Sequence, residues 1–205
     1  GVDKFIPCSW EMVRANRRAA LDIFCHHVTN RPESRIFGGK TFMLGGSTVL
    51  DREAEGVLSG ELSGIAAKTV PLWARSRFFP PKDLSVLSDW EEKVDKMAKA
   101  AIGENIRGFG GTPSWVLIFL DKLAELSPLT DRRSLKPFPD LELVIHGGVN
   151  FAPYRSQFDA LCQVTRAELR EVYPASEGFV AVQDRGPNEG LRLLIDNGLF
   201  FEFVP

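Results

Sequence analysis

The apolar positions of the chain recur with two periods, and the helical one comes first. Over residues 9–30, Val13, Ala20, Leu21, Phe24 and Val28 fall near one helical face, while Arg14, Arg17 and Arg18 fall elsewhere. Ser9 is a good N-cap, Glu11 suits the positive end of a helix, and Pro32 follows its stop, so the pattern predicts a helix over 9–30 with the arginines on a solvated face. Residues 40–44 read as a short strand between two glycine pairs. Residues 62–77 look helical, with Pro71 ending or kinking the helix, and Pro80-Pro81 is a firm break. Ser88-Asp89-Trp90-Glu91 is a capping-box pattern that opens a helix over 89–102. A buried strand follows at 106–109. Thr112 then caps a helix that has Pro113 at its first position and runs through Trp115, Ile118, Phe119 and Leu123. Residues 128–139, with Pro128, Pro137 and Pro139, read as a loop.

The last third shortens its period. Residues 141–145 form a buried-strand run ending in His146-Gly147-Gly148, a helix covers 154–164, and 168–173 and 179–183 are further strands. The segments 191–195 and 199–203 flank Asp196-Asn197-Gly198, a hairpin signal because Asn-Gly suits a positive-φ turn. Strands that alternate with helices and then close on a hairpin predict an α/β fold: a mixed, mostly parallel sheet flanked by helices and ending in a β-hairpin. There is no internal repeat, low-complexity stretch or clean linker.

Composition narrows the class. With 44% apolar residues in 205, the chain can bury a sizeable core and is neither disordered nor collagen-like. Its net charge of -2 provides no electrostatic footprint for nucleic acid. The longest apolar run, 115–120, is soon followed by Asp121 and Lys122 and is far too short to span a membrane. GVDKFIPCSW lacks the layout of a secretory signal. Cys8, Cys25 and Cys162 are odd in number and widely spaced, which reads as buried free thiols of a cytoplasmic protein. His26 and His27 are adjacent and point apart on a helix, and neither HExxH nor CxxC occurs, so no zinc site is predicted.

Three segments have residue types that can do chemistry. In Tyr173-Pro174-Ala175-Ser176-Glu177-Gly178, a ring can stack on a base, a hydroxyl can bond a phosphate, and a carboxylate can hold Mg²⁺ alongside phosphate oxygens. The same residues also suit an ordinary proline-containing turn. His146-Gly147-Gly148-Val149-Asn150 ends a buried strand, where α/β sheets bind ligands and where glycines let backbone approach a flat ring. A plain strand-ending turn fits it equally. Gly110-Gly111-Thr112-Pro113-Ser114-Trp115 can offer backbone N–H groups to an anion at a helix start, or can simply be a good cap with a core tryptophan. Neither a Walker-type loop nor a GxSxG elbow is present.

In the order GVDKFIP, GGTPSW, HGGVNFAPY, YPASEGF, DNGLFFEFVP, these segments resemble the auxin-responsive (Gretchen Hagen type) acyl acid-amido synthetase family in its bacterial form. The resemblance runs over essentially the whole chain. That family belongs to the adenylate-forming superfamily, with the acyl-CoA synthetases and peptide-synthetase adenylation domains. The resemblance implies that ATP and a small carboxylic acid give an acyl-adenylate, which an amine such as an amino acid then attacks to give an amide and AMP. It implies Tyr173 against adenine, Gly147, Gly148 and Val149 along it, and Ala175 in the same nucleotide-binding segment. It also implies Ser176 near the α-phosphate, Glu177 with Mg²⁺, and Ser114 and Trp115 near the acid. Lys4, Ile6 and Pro7 match the run that follows the family's phosphate loop. That loop is then expected upstream of Gly1, and the ribose-binding aspartate and the C-terminal domain with its catalytic lysine beyond Pro205. Residues 1–205 are accordingly expected to be the central part of a single adenylation domain, inactive by itself. The alternatives within reach of the same segments are an acyl-CoA ligase or other adenylate-forming enzyme, and a non-catalytic protein that retains the fold.

Overall fold

The computed structural model describes residues 5–126, 133–186 and 189–204. Gly1, Lys4, Pro128 and Pro205, which figured in the sequence reading, lie outside the described residues. Helix α1 (Trp10–Asn30) starts at Ser9, whose hydroxyl accepts the Met12 N–H. β1 (Lys40–Leu44) follows, and then a hairpin of β2 (Leu50–Ala54) and β3 (Val57–Gly60) that the hydropathy pattern had not suggested. Its side chains are nearly all exposed, so it shows no alternation of apolar and polar positions. Pro71 does end the next helix: α2 (Leu62–Thr69) stops short of it, and a 3₁₀ segment (Leu72–Arg77) resumes beyond. A two-residue strand, β4 (Phe78–Phe79), and a short helix, α3 (Lys82–Ser85), come next.

Helix α4 (Trp90–Ala101) is capped by Asp89, which accepts the Glu92 N–H, so the cap sits one residue later than the capping-box reading placed it. β5 (Ile106–Gly111), α5 (Pro113–Leu126), β6 (Leu143–Gly147) and α6 (Arg155–Thr165) agree with the pattern to within a few residues. The chain then forms β7 (Glu168–Ala175), β8 (Gly178–Val182) and β9 (Arg192–Leu193).

Seven strands form one sheet in the order β4-β1-β5-β6-β7-β8-β9. Pairings from β4 through β7 are parallel, and β8 and β9 add antiparallel. The sheet therefore ends in antiparallel strands, as expected, but 199–203 is not one of them. Gly198 does take the positive φ, +75°, of the predicted turn. The Asn197 amide, however, donates to the Phe179 carbonyl at 2.6 Å and ties the turn to β8 instead of folding a second arm back.

Both faces are covered at the centre of the sheet. On one, Phe42 meets Phe79, Phe109 and Phe119 edge to face at 4.7–4.8 Å beneath α4, α5 and α6. On the other, Ala19 and Ile23 of α1 pack on Leu143, Ile145, Val172 and Val182. β6 is thus buried on both sides, which accounts for its apolar stretch 143–145. The buried stripe of α1 is Ala19, Ile23 and His27, and Leu21 of the predicted face is exposed. The helix is rotated by a polar contact that hydropathy cannot register: His27 Nδ1 lies 2.6 Å from Glu168. Arg14, Arg17 and Arg18 are exposed, as expected; Arg17 also donates to the Thr69 carbonyl, and Arg18 pairs with Asp196 at 2.9 Å.

Candidate functional site

The parallel strands all end at one rim, where β1 stops at Leu44, β5 at Gly111 and β6 at Gly147. Backbone approach there is close. A Cβ on Gly147 would lie 2.2 Å from the Val172 carbonyl oxygen, and one on Gly111 would lie 3.1 Å from the Leu44 carbonyl oxygen. Gly148, at φ +82°, turns the chain off the end of β6.

β7 runs past this rim. Gly147 pairs with Val172, so Tyr173, Pro174 and Ala175 project beyond the end of β6. A register shift falls between Tyr173 and Pro174, as suits a residue without an N–H in a ladder. Ala175 then pairs with Gly178, leaving Ser176 and Glu177 as the exposed tip of a two-residue turn into β8. The segment read as a possible turn is therefore the tip of a hairpin raised over the rim. Tyr173 and Val149 are about half exposed.

The predicted residues thus fall into one connected band. Gly147, Gly148 and Val149 leave β6 next to Tyr173, Ala175, Ser176 and Glu177 on β7. Ser114 and Trp115 are in the first turn of α5, directly after β5, the strand on the other side of β6. Gly148 closes this side, with its would-be Cβ 3.9 Å from Thr112 Oγ1. Trp115 is half-buried and rests on Trp90 of α4, with centroids 4.7 Å apart, so it joins the rim to the helical layer.

The rim also holds a residue that the glycine motif concealed. His146 is 2% exposed, stacked on Phe151, and Arg155 lies over the other ring at 5.1 Å. Burial, helped by the Arg155 charge, pushes its imidazole down to about 4, so it is neutral near pH 7. At the opposite end of the strands, Arg107 pairs with Glu142 and Arg170 with Glu168, and His27 Nδ1 lies 2.6 Å from Glu168. Burial raises the Glu168 carboxyl, but hydrogen bonds from His27 and Arg170 outweigh it and hold it below its ordinary value. Lys93 of α4 was missed as well. Its place on the apolar stripe with Val94 and Met97 was the available signal.

Among the described residues no cluster of three His, Cys, Asp or Glu side chains can hold a metal ion by itself. The exposed Glu177 carboxylate suits an ion such as Mg²⁺ that takes one or two protein carboxylates and completes its shell with phosphate oxygens and water. The three cysteines are free thiols, but only Cys162 is buried as expected; Cys25 is exposed because it sits on the outer side of α1. No helix among the described residues is long and apolar enough to cross a membrane.

The model of the GH3 family N-terminal domain matches residues 35–166. A crystal structure of an open conformation of 2-hydroxyisobutyryl-CoA ligase in complex with 2-HIB-AMP and CoA shares the fold, with a TM-score of 0.54 at 15% identity. The match covers 87% of this chain and 36% of that one, so the chain spans about a third of the ligase's length. No curated protein sequence matches the chain significantly.

Proposed function

The chain belongs to the GH3 family, and on that footing we propose that the full-length protein is an ATP-dependent, adenylate-forming ligase that joins a small carboxylic acid to an amine such as an amino acid. The observation behind this reading is that the segments 147–149 and 173–177 meet at the carboxyl ends of two adjacent parallel strands, paired at Gly147 and Val172. That is where open α/β sheets bind ligands. We read residues 1–205 as the central part of a single adenylation domain, in keeping with the third of the ligase that the chain matches.

Each group then has a task. Tyr173 offers a half-exposed ring to adenine, while Gly147 and Gly148 let the backbone lie along the base with Val149 at its edge. Ala175, beside the hairpin tip, keeps the approach to the phosphates unobstructed. The Ser176 hydroxyl donates a hydrogen bond to an α-phosphate oxygen, and Glu177 would hold Mg²⁺. When bound, Mg²⁺ would supply neutralisation of negative charge on the phosphates. Ser114 and Trp115 flank the acid. A carboxylate oxygen attacks the α-phosphorus and the bond to pyrophosphate breaks. An amine nitrogen then attacks the acyl carbon, AMP departs, and the amine proton passes to solvent. Most of the rate enhancement comes from holding the two reactants in line.

The test is product analysis. The full-length protein is incubated with ATP, Mg²⁺, a panel of carboxylic acids, and either amino acids or coenzyme A, and products are identified by mass spectrometry. An amide with stoichiometric AMP is expected. A thioester formed only with coenzyme A would replace the amine acceptor by a thiol, and ATP consumption with neither product would overturn the ligase reading.

A further inference from the structure

Lys93 is a charged residue on the buried stripe of α4, 2% exposed. Its ammonium donates to the Gly46 carbonyl at 2.5 Å and to the Ser85 carbonyl at 3.0 Å. Both acceptors are neutral, and among the described residues Lys93 makes no salt bridge. Burial pushes its ammonium down, and the charge of Glu61 works against that shift. What the contacts do achieve is mechanical: they tie the segment after β1 to the end of α3.

That segment, Gly45-Gly46-Ser47-Thr48, is held from every side. Thr48 Oγ1 donates to Ser85 Oγ at 3.0 Å, and Ser63 Oγ donates to the Ser47 carbonyl at 3.0 Å. A Cβ on Gly46 would lie 1.8 Å from Glu61 Oε2, and one on Gly64 would lie 2.9 Å from Leu50 Cδ2 and 3.3 Å from the Thr48 backbone. The segment leaves the sheet at Leu44, which pairs with Gly111. Thr112, Pro113 and Ser114 leave from Gly111. The two segments are therefore neighbours at the rim, on the side away from Tyr173. Trp90, three residues before Lys93 on the same helix, supports Trp115. One face of α4 thus backs both segments.

We infer that Lys93 is a positioning residue that fixes the Gly45-Gly46-Ser47-Thr48 segment as one wall of the carboxylic-acid subsite, so that it sets selectivity for the acid and not for the nucleotide. This rests on the adenylate-forming reading above and deepens it. The small side chains of the wall define the space beside Ser114, and the wall holds its place only while its backbone is clamped. Replacing Lys93 by methionine keeps the stem and removes both donors, which leaves the wall free to move.

The experiment measures acid-dependent ATP–pyrophosphate exchange by the full-length protein over a panel of acids of increasing size, for wild type, Lys93→Met, Thr48→Val and Tyr173→Ala. Lys93→Met is expected to raise the KM for the preferred acid by about tenfold or more, the loss expected of charge-assisted hydrogen bonds, with the KM for ATP changed less than about twofold. Bulkier acids are expected to lose less than the preferred one. Thr48→Val, which removes one hydroxyl and keeps the volume, is expected to move the same way by a smaller factor, so the inference stays testable if Lys93→Met does not fold. Tyr173→Ala is expected to show the opposite split, with the ATP KM raised and the acid KM unchanged. Folded Lys93 and Thr48 variants with an unchanged acid KM, or with acid and ATP KM rising in parallel, would overturn the inference while Tyr173→Ala still supports the ligase reading. Wild type without acid-dependent exchange would overturn that reading and the inference together.

Discussion

The ring of His146 lies on the ring of Phe151, with centroids 3.6 Å apart and planes 22° from parallel. His146 is the penultimate residue of β6 and Phe151 follows the glycine turn, so the stack joins the two ends of the segment that holds Gly147, Gly148 and Val149. A neutral imidazole packs there as an aromatic; a protonated one would be a buried cation beside Arg155.

A pH dependence follows. The His146 pKa is depressed in the folded protein to about 4, from an ordinary 6.5, so its contribution to stability is fully present above 6.5 and is lost as pH falls toward 4. Between pH 7.5 and 5 the loss should be about 2 kcal/mol. Urea unfolding at the two pH values should show that difference for wild type and show it reduced by that amount in His146→Phe, which keeps the stack and cannot titrate. Identical pH dependence in the two proteins would contradict the assignment.

The network at the far end of the strands supports stability. Arg170, 1% exposed, donates to the carbonyls of Gln183 and Arg185 and pairs with Glu168 at 2.5 Å. Arg170→Met leaves those acceptors and the Glu168 charge short of a partner, and should cost about 3–5 kcal/mol. Denaturant unfolding measures it; a loss below about 1 kcal/mol would mean water replaces the guanidinium.

Gly147→Ala places a methyl 2.2 Å from the Val172 carbonyl oxygen, so β6 and β7 must part where the proposed adenine cradle begins. The expected cost is about 1–3 kcal/mol of stability, together with weaker nucleotide binding. Calorimetry with ATP and thermal unfolding read the two effects separately.

Tyr173→Ala removes a ring that is half exposed and makes little contribution to the core. It should leave the melting temperature nearly unchanged and weaken nucleotide binding by about 1–3 kcal/mol. Unaltered affinity for ATP would place the base elsewhere.

Most of the sheet was legible because its central strands are buried on both faces and are marked off by Gly and Pro. The apolar stretch 143–145 of β6 and the Gly-Gly that ends it left little ambiguity. The β2–β3 hairpin was not legible, since neither face of it meets a core. The rotation of α1 was hidden for a different reason: His27 is drawn inward by a carboxylate 141 residues away, and a hydropathy pattern scores it as polar. The rim residues Tyr173, Glu177, Gly147 and Ser114 could be named because motif order placed them. Lys93 was not named, because its place on the apolar stripe shows that it is buried but not which groups it meets; Gly46 and Ser85, which lie outside that stripe, accept its hydrogen bonds.

The most direct test of the whole account is acid-dependent exchange of pyrophosphate into ATP by the full-length protein, compared with Glu177→Ala. The account predicts exchange that requires both a carboxylic acid and Mg²⁺ and that falls roughly 100-fold in the variant, the scale expected when one stabilising charge contact is removed from a transition state. Exchange of equal rate in the two proteins at limiting Mg²⁺ would contradict it.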